Sequence, residues 1–323
     1  MIDILNYTFF QNALWAILLI STTSAIIGTY IVARRMLFIT GGITHASFGG
    51  LGVGYYLGIN PTLSALVFAI LSALGVEWLS RGKSVREDSA IAVVWALGMA
   101  IGIIFIFMTP GYTPGLTEFL FGNILTITRT DIFIFAAFAS LLIFYTVLQY
   151  KTIVYTAFDA DFAHTRGIKT RLVNYIMTFF VATAVVLTIR LVGIMLLISI
   201  LSLPQMIAEL FCHKFRNIVW LSGAINLLCG IGGLLLSYWL DVPAGATIVF
   251  TLIIAYFVVK IIASYILQPV KSNKTGKIQF KKWSIIPITS IEKKNTTYYR
   301  FIYCSYTRIL FHEKEYGGDT FLP

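Results

Sequence analysis

Residues 89–108 read SAIAVVWALGMAIGIIFIFM, an apolar run without a charged side chain. A helix of this length covers about 30 Å, the thickness of the hydrocarbon core of a bilayer. Eight other runs share this character, near residues 10–33, 36–57, 62–80, 131–149, 173–189, 192–212, 217–240 and 246–267. Because hydrocarbon offers no water to a free backbone group, each run has to form a helix. The sequence therefore predicts an all-α integral membrane protein, a polytopic bundle of about nine transmembrane helices.

Composition and charge agree with this class. Hydrophobic residues make up 58% of the chain and charged residues 12%, against about 25% charged residues in a soluble domain. The net charge is +10, but ten Lys and Arg and only four acids follow Val270, so the tail carries +6 and the rest +4. A basic segment after a last span is typical of a cytoplasmic flank that contacts anionic membrane lipid, and it excludes nucleic acid as the partner. We expect a transmembrane domain over residues 1–270 and a basic cytoplasmic extension, poorly ordered, over 271–323.

The loops indicate the orientation. The loops after the first, third, fifth and seventh predicted spans carry eleven Lys and Arg, whereas the other loops carry only Arg129 and Arg190. Since cytoplasmic loops are enriched in Lys and Arg, we expect the N-terminus outside and the C-terminus in the cytoplasm.

Two predicted spans contain residues that disturb helices. The span at 36–57 is rich in glycine, which indicates tight packing on neighbouring helices or local unwinding. The span at 192–212 contains Pro204, which removes a backbone hydrogen bond and kinks or breaks the helix. Between 109 and 130, prolines and glycines surround an apolar piece too short to span. There we expect an external loop with a partly inserted helix, or a tenth, broken span.

Ionisable residues inside spans are costly and need an explanation. His45 lies within the glycine-rich span, where a neutral imidazole can bind a transition metal. The plainer alternative is a hydrogen-bonded packing residue. Glu209 falls at the cytoplasmic end of the span with Pro204, where either a salt link to a neighbouring base or ligand binding would account for it.

The loop after the fifth predicted span reads FDADFAHTRGI over residues 158–168. Carboxylates at its start and Gly167 near its end are typical of a short surface helix. Such a helix is either a docking element for a cytoplasmic partner or an ordinary capped loop. The chain contains neither a GxxxxGK[ST] nor a GxGxxG nucleotide-binding motif, so we expect the energy for any transport to come from a separate polypeptide.

Five segments, taken in order, resemble the permease subunits of bacterial zinc and manganese ABC importers. They are residues 34–46 with the run GGITHA, 86–91 (REDSAI), 158–168, 192–204 with Val192-Gly193 and Leu203-Pro204, and 240–247 (LDVPAGAT). The resemblance covers about residues 10 to 268 and excludes the tail.

The resemblance implies that residues 1–270 form a permease domain that passes a divalent metal ion, zinc or manganese, through the bacterial plasma (inner) membrane and holds no cofactor. Its implied partners are a cytoplasmic ABC ATPase subunit, an extracytoplasmic metal-binding protein and a second copy in a homodimer. The ATPase would hydrolyse ATP, so this chain would not itself be an enzyme. The implied coupling helix contains Asp159, Asp161, Phe162, Ala163 and Gly167.

The resemblance also implies that His45 binds the metal, with one departure. The family carries an Asp four residues before this His, where this chain has Gly41. An Asp and a His at that spacing share one helix face and could clamp an ion. Without the Asp, an oxygen of Glu209, Gln205 or a second subunit remains as the replacement ligand.

Two other kinds of transporter fit the sequence less well. A permease for a metal chelate, such as a siderophore or cobalamin, would keep the importer architecture but have ten spans. An ion-driven secondary carrier would place carboxylates near the membrane centre, and these spans contain few acids. An intramembrane enzyme is weaker again, because no HExxH motif or nucleophile and base pair is present.

Overall fold

The computed structural model describes residues 7–80, 86–110 and 127–266, and within these ranges it contains helices and no strand. The helices are α1 (Thr8–Ala33), α2 (Leu37–Leu57), α3 (Pro61–Leu79), α4 (Glu87–Met108), α5 (Arg129–Leu148), α6 (Tyr150–Phe158), α7 (Ala160–Thr165), α8 (Thr170–Glu209), α9 (Phe215–Leu240) and α10 (Ala244–Ile266). The predicted all-α class is confirmed. The expected loop insertion at 109–130 falls largely on residues outside the described ranges, and so does the tail at 271–323.

Seven segments of the described chain are long and apolar enough to cross a membrane, against nine predicted spans. They are α1, α3, α4, α5, the first part of α8, α9 and α10. The predicted span at 36–57 does form a 21-residue helix, α2, which is long enough to cross a membrane but less apolar than these seven segments. The predicted spans at 173–189 and 192–212 belong to the single helix α8, and its second part, Leu196–Glu209, is a short apolar helix.

Helix α8 is interrupted at Gly193, and the break expected at Pro204 is not observed. Gly193 has φ 78° and ψ 172°, whereas Pro204 lies inside the helical second part. That combination of dihedral angles is essentially restricted to glycine, because a Cβ would collide with the backbone. The 40-residue helix therefore consists of two parts joined at Gly193, about three turns before the proline.

An ion pair anchors the first part of α8 just before this break. Arg190 Nη2 lies 2.8 Å from Asp131 Oδ1 at the start of α5, and Arg190 Nη1 donates to Thr62 Oγ1 at the start of α3, 3.2 Å away. The Asp131 side chain is 10% exposed and that of Arg190 44%, so solvent reaches the pair from the arginine side and screens it in part. These contacts join three helices around a cavity of about 180 Å³ that Asn60 and Phe135 also line.

The glycine-rich helix α2 is continuous, and its glycines bring other helices into backbone contact. A Cβ added at Gly49 would lie 2.8 Å from the Gly98 carbonyl oxygen of α4, and one at Gly52 would overlap the Gly102 carbonyl oxygen. On its other side, a Cβ at Gly50 would lie 2.5 Å from the Ser64 carbonyl oxygen of α3. Of the two expected explanations, tight packing is therefore correct and local unwinding is wrong.

This packing gives a stability prediction for Gly52. Gly52→Ala has to separate α2 from α4, since its new methyl group meets backbone, and we expect it to lower the free energy of unfolding by about 1–3 kcal/mol. The matched control is Gly232→Ala in α9, where an added Cβ meets nothing within 4 Å. Thermal unfolding of both variants in the same detergent measures the difference. Equal unfolding midpoints would contradict the packing described here.

The outer surface of the bundle is apolar. Large hydrophobic side chains with more than two thirds of their surface exposed include Trp78, Phe107, Phe133 and Trp239. Soluble monomers rarely expose so much apolar surface. These side chains are suited to contact with lipid tails or with other membrane helices.

Candidate functional site

His45 lies in α2 and is half-buried at the surface of the bundle. Its imidazole stacks on the indole of Trp95 in α4, with ring centroids 4.3 Å apart and an interplanar angle of 4°. Among the described residues, neither ring nitrogen of His45 forms a hydrogen bond or an ion pair, so the hydrogen-bonded packing role is not observed. The imidazole thus has one face covered and its nitrogen atoms uncommitted.

The described part of one chain supplies no complete metal site around His45. It contains no group of three or more His, Cys, Asp or Glu side chains close enough to hold an ion. At Gly41, an added Cβ would have only Ile198 Cδ1 near it, at 4.0 Å, so the backbone leaves space for a side chain that this sequence does not provide.

Gln205 lies in a separate polar cluster inside the bundle. Its side chain is fully buried, and its Nε2 donates to the Ser24 carbonyl oxygen of α1 at 2.8 Å. Gly28 makes room for this amide, because a Cβ there would overlap Gln205 Nε2. From α9, Asn226 Nδ2 donates to Ser24 Oγ at 2.5 Å. The cluster links three helices by hydrogen bonds.

One acceptor in this cluster is left over. Gln205 Oε1 is buried and has no hydrogen-bond partner among the described residues, which makes it a polar atom available inside the bundle. Glu209, one turn further along α8, is exposed and forms no ion pair with any described base, so its expected salt link is not observed. No hydrogen bond or ion pair joins His45 to Gln205 or Glu209 within the described residues.

The predicted short helix in the loop 158–168 is present as α7. Asp159 caps its start, since its Oδ1 accepts from the Phe162 backbone N–H at 2.9 Å. Its end follows the Schellman pattern, with Gly167 at φ 74° and the Ile168 N–H donating to the Ala163 carbonyl oxygen at 3.1 Å. Both ends of this six-residue helix are therefore fixed by the sequence itself.

Helix α7 presents an apolar surface next to charged groups. Ala163, on the inner side of α7, is fully buried, while the Phe162 and Phe158 side chains are 42% and 58% exposed. The Phe162 ring is held by the edge of Tyr155, with centroids 5.8 Å apart, and by the Arg166 guanidinium 5.3 Å above it. Asp161 is also exposed. A fixed aromatic side chain within a polar rim is the usual anatomy of a protein contact surface.

Reading the sequence alone missed Trp95, Asn226 and the anchor between Arg190 and Asp131. Asn226 had a usable signal, because an amide inside an apolar span is unusual and marks a polar contact between helices. No sequence signal pointed to Trp95, because one aromatic residue in an apolar span does not indicate which neighbouring helix it contacts.

Comparison with known proteins places this arrangement in a family. Residues 6–263 match the family model described as ABC 3 transport family. An uncharacterized membrane protein of Synechocystis is 38% identical over 80% of this chain and 92% of its own length. The manganese transport system membrane protein MntC of Halalkalibacterium halodurans is 28% identical over 76% of this chain and 85% of its own length.

A solved structure shares the fold. It is described as PsaBC from Streptococcus pneumoniae in complex with Fab, and it superposes with a TM-score of 0.71 at 27% identity, covering 80% of this chain and 93% of the matched chain. With a model match over most of its length and a curated relative above 30% identity, this chain belongs to the ABC 3 transport family, as a multi-pass membrane subunit.

Proposed function

We propose that this chain is the membrane subunit of an ATP-driven importer for a divalent transition metal ion, zinc or manganese. The observation that carries the proposal is the uncommitted imidazole of His45, half-buried in a helix of a chain from this family. Imidazole is a ligand for such ions in its neutral form. A relative named for manganese transport supports the same cargo class.

The path of the ion follows from the position of His45 in α2. The residue lies about 12 Å along the helix axis from Leu37, at 1.5 Å per residue, so it would lie well inside a hydrocarbon core of about 30 Å if α2 crosses the bilayer. With the N-terminus outside and the C-terminus in the cytoplasm, the ion would enter from an extracytoplasmic binding protein. It would leave on the side where α7 lies.

We further propose that a homodimer completes the site. His45 is only half-buried, and no cluster of metal-ligating side chains surrounds it among the described residues. Zinc in proteins takes about four ligands, so a second copy facing the first would add at least one more imidazole. An oxygen ligand could come from water or a polar side chain of either copy.

The energy would come from a partner ATPase that docks on α7. The exposed Phe158 and Phe162 beside Asp161 and Arg166 form a contact surface of the right chemistry. In this assignment the chain itself carries out no chemical reaction, and its two faces open in turn as the ATPase subunits close and separate.

The test is metal uptake into liposomes that contain the chain and its cognate ATPase. The ATPase and ATP are enclosed inside the liposomes. We expect the liposomes to take up radioactive zinc or manganese from outside, and to take up none when ATP is omitted. Liposomes with a proton or sodium gradient and no ATP provide the comparison. Uptake driven by such a gradient would overturn the proposal in favour of a secondary carrier.

A further inference from the structure

The contact between α2 and α4 combines close backbone approaches at glycines with two ring pairs, His45 with Trp95 and Tyr56 with Phe105. The two helices run parallel, since Gly49 meets Gly98 and Gly52 meets Gly102 further along. A Cβ added at Gly98 would lie 2.5 Å from the Ala46 Cα. His45 and Trp95 stand at the edge of this backbone contact, which brings their rings face to face.

The geometry of the pair determines what each ring can still do. At 4.3 Å between centroids and 4° between planes, the indole covers one face of the imidazole and limits rotation of its side chain. The lone pairs of an imidazole lie in the ring plane and point outward from its edge. A stacked neighbour therefore fixes the plane of the ring without occupying a nitrogen.

A metal-binding histidine is normally oriented by a hydrogen bond to its second nitrogen. No such bond to His45 exists among the described residues, and α2 supplies only Gly41 one turn before it, where little else approaches. Trp95 is the side chain in aromatic contact with this imidazole. The Trp95 indole can therefore orient the imidazole in place of the carboxylate or carbonyl that usually does so.

We propose that Trp95 is the positioning residue of the metal site, holding the His45 imidazole in the plane in which it binds the ion. This inference rests on the proposed function, since it assigns a role within the same site. It predicts that an aromatic face at position 95 matters for metal affinity, whereas the indole N–H does not.

The experiment measures metal binding to the full-length chain in lipid nanodiscs, with Mn²⁺ and Zn²⁺ as probes. We expect Trp95→Leu to weaken binding by about tenfold, because an unoriented imidazole loses rotational freedom on binding. Trp95→Phe keeps a stacking face and should stay within about threefold of the natural sequence. The matched control is Trp220→Leu in α9, where the indole is 75% exposed and in the apolar surface. It should leave the affinity unchanged.

A spectroscopic measurement separates positioning from general stability. Bound Co²⁺ quenches the emission of a nearby tryptophan, so the natural chain should lose a component of its fluorescence on adding Co²⁺. This Co²⁺-dependent loss should be absent from Trp95→Phe, because the indole is gone, and from His45→Ala, because the ion is no longer held next to it. The thermal unfolding midpoint of every variant is measured in parallel. If Trp95→Phe unfolds at a lower temperature than the natural chain, Trp95→Tyr takes its place.

The outcomes distinguish this inference from the proposed function. If His45→Ala binds metal as well as the natural chain, His45 is not a ligand and the proposed function loses its site. If His45→Ala loses binding but Trp95→Leu does not, the site stands and the positioning role of Trp95 is wrong. If His45→Ala and Trp95→Leu both lose metal binding and Trp95→Phe retains it, the inference is supported.

Discussion

His45→Ala is expected to abolish ATP-dependent metal uptake while leaving the bundle folded. The imidazole is the candidate ligand, and the described chain has no group of metal-ligating side chains to replace it. Because His45 is half-buried at the bundle surface, removing its ring opens no enclosed cavity, so the free energy of unfolding should change little. Uptake into liposomes and thermal unfolding of the same preparation measure the two effects separately.

The control for this variant is a second histidine. His213 lies after α8 and is exposed, so His213→Ala removes the same side chain at a position where we expect no ligand role. Both variants should bind the ATPase equally well. If His45→Ala transports as fast as His213→Ala, the assigned ligand is refuted.

Gly167→Val is expected to uncouple the ATPase from the membrane subunit. Gly167 ends α7 at φ 74°, and a side chain in that left-handed region costs about 1–2 kcal/mol. A six-residue helix cannot absorb this strain, so its end should unwind and displace Phe162. A cost of that size corresponds to about tenfold weaker capture of the ATPase, and ATP-dependent uptake should fall with it.

The chain offers a matched control for this strain. Gly58 ends α2 at φ 67°, and both glycines have nothing within 4 Å of an added Cβ. Gly58→Val therefore introduces a similar backbone cost at the C-terminal end of a different helix, α2. Co-purification of the ATPase with each variant gives the comparison. Equal capture by the two variants would remove α7 from the coupling role.

The features that the sequence predicted well are those encoded by neighbouring residues. Apolar runs identify spans because a helix in lipid satisfies its own backbone, and Asp159 and Gly167 identify α7 because caps act within one turn. In both cases the physical cause lies within a few residues of its effect. The structure therefore reproduces these elements with small shifts of their ends.

The features that the sequence could not provide depend on distant contacts or on a single backbone angle. The sequence around Gly193, which interrupts α8, does not distinguish it from the glycines of α2, which remain helical. The proline three turns later was the stronger local signal, and helical dihedral angles persist there nonetheless. The pairing of Trp95 with His45 depends on how α2 and α4 lie side by side, which the order of residues along one helix does not specify.

The backbone contact between α2 and α4 has a mechanical consequence. Where its glycines meet backbone, this interface has no side-chain rotamer to adjust, so sliding one helix past the other would drive the backbone at Gly98 and Gly102 into that of Ala46 and Phe48. The two helices are accordingly expected to travel as one rigid body whenever the bundle changes shape. The stacked rings on their edge would then be carried unchanged from one access state to the other, and what differs between states would be the surroundings that open or close around them.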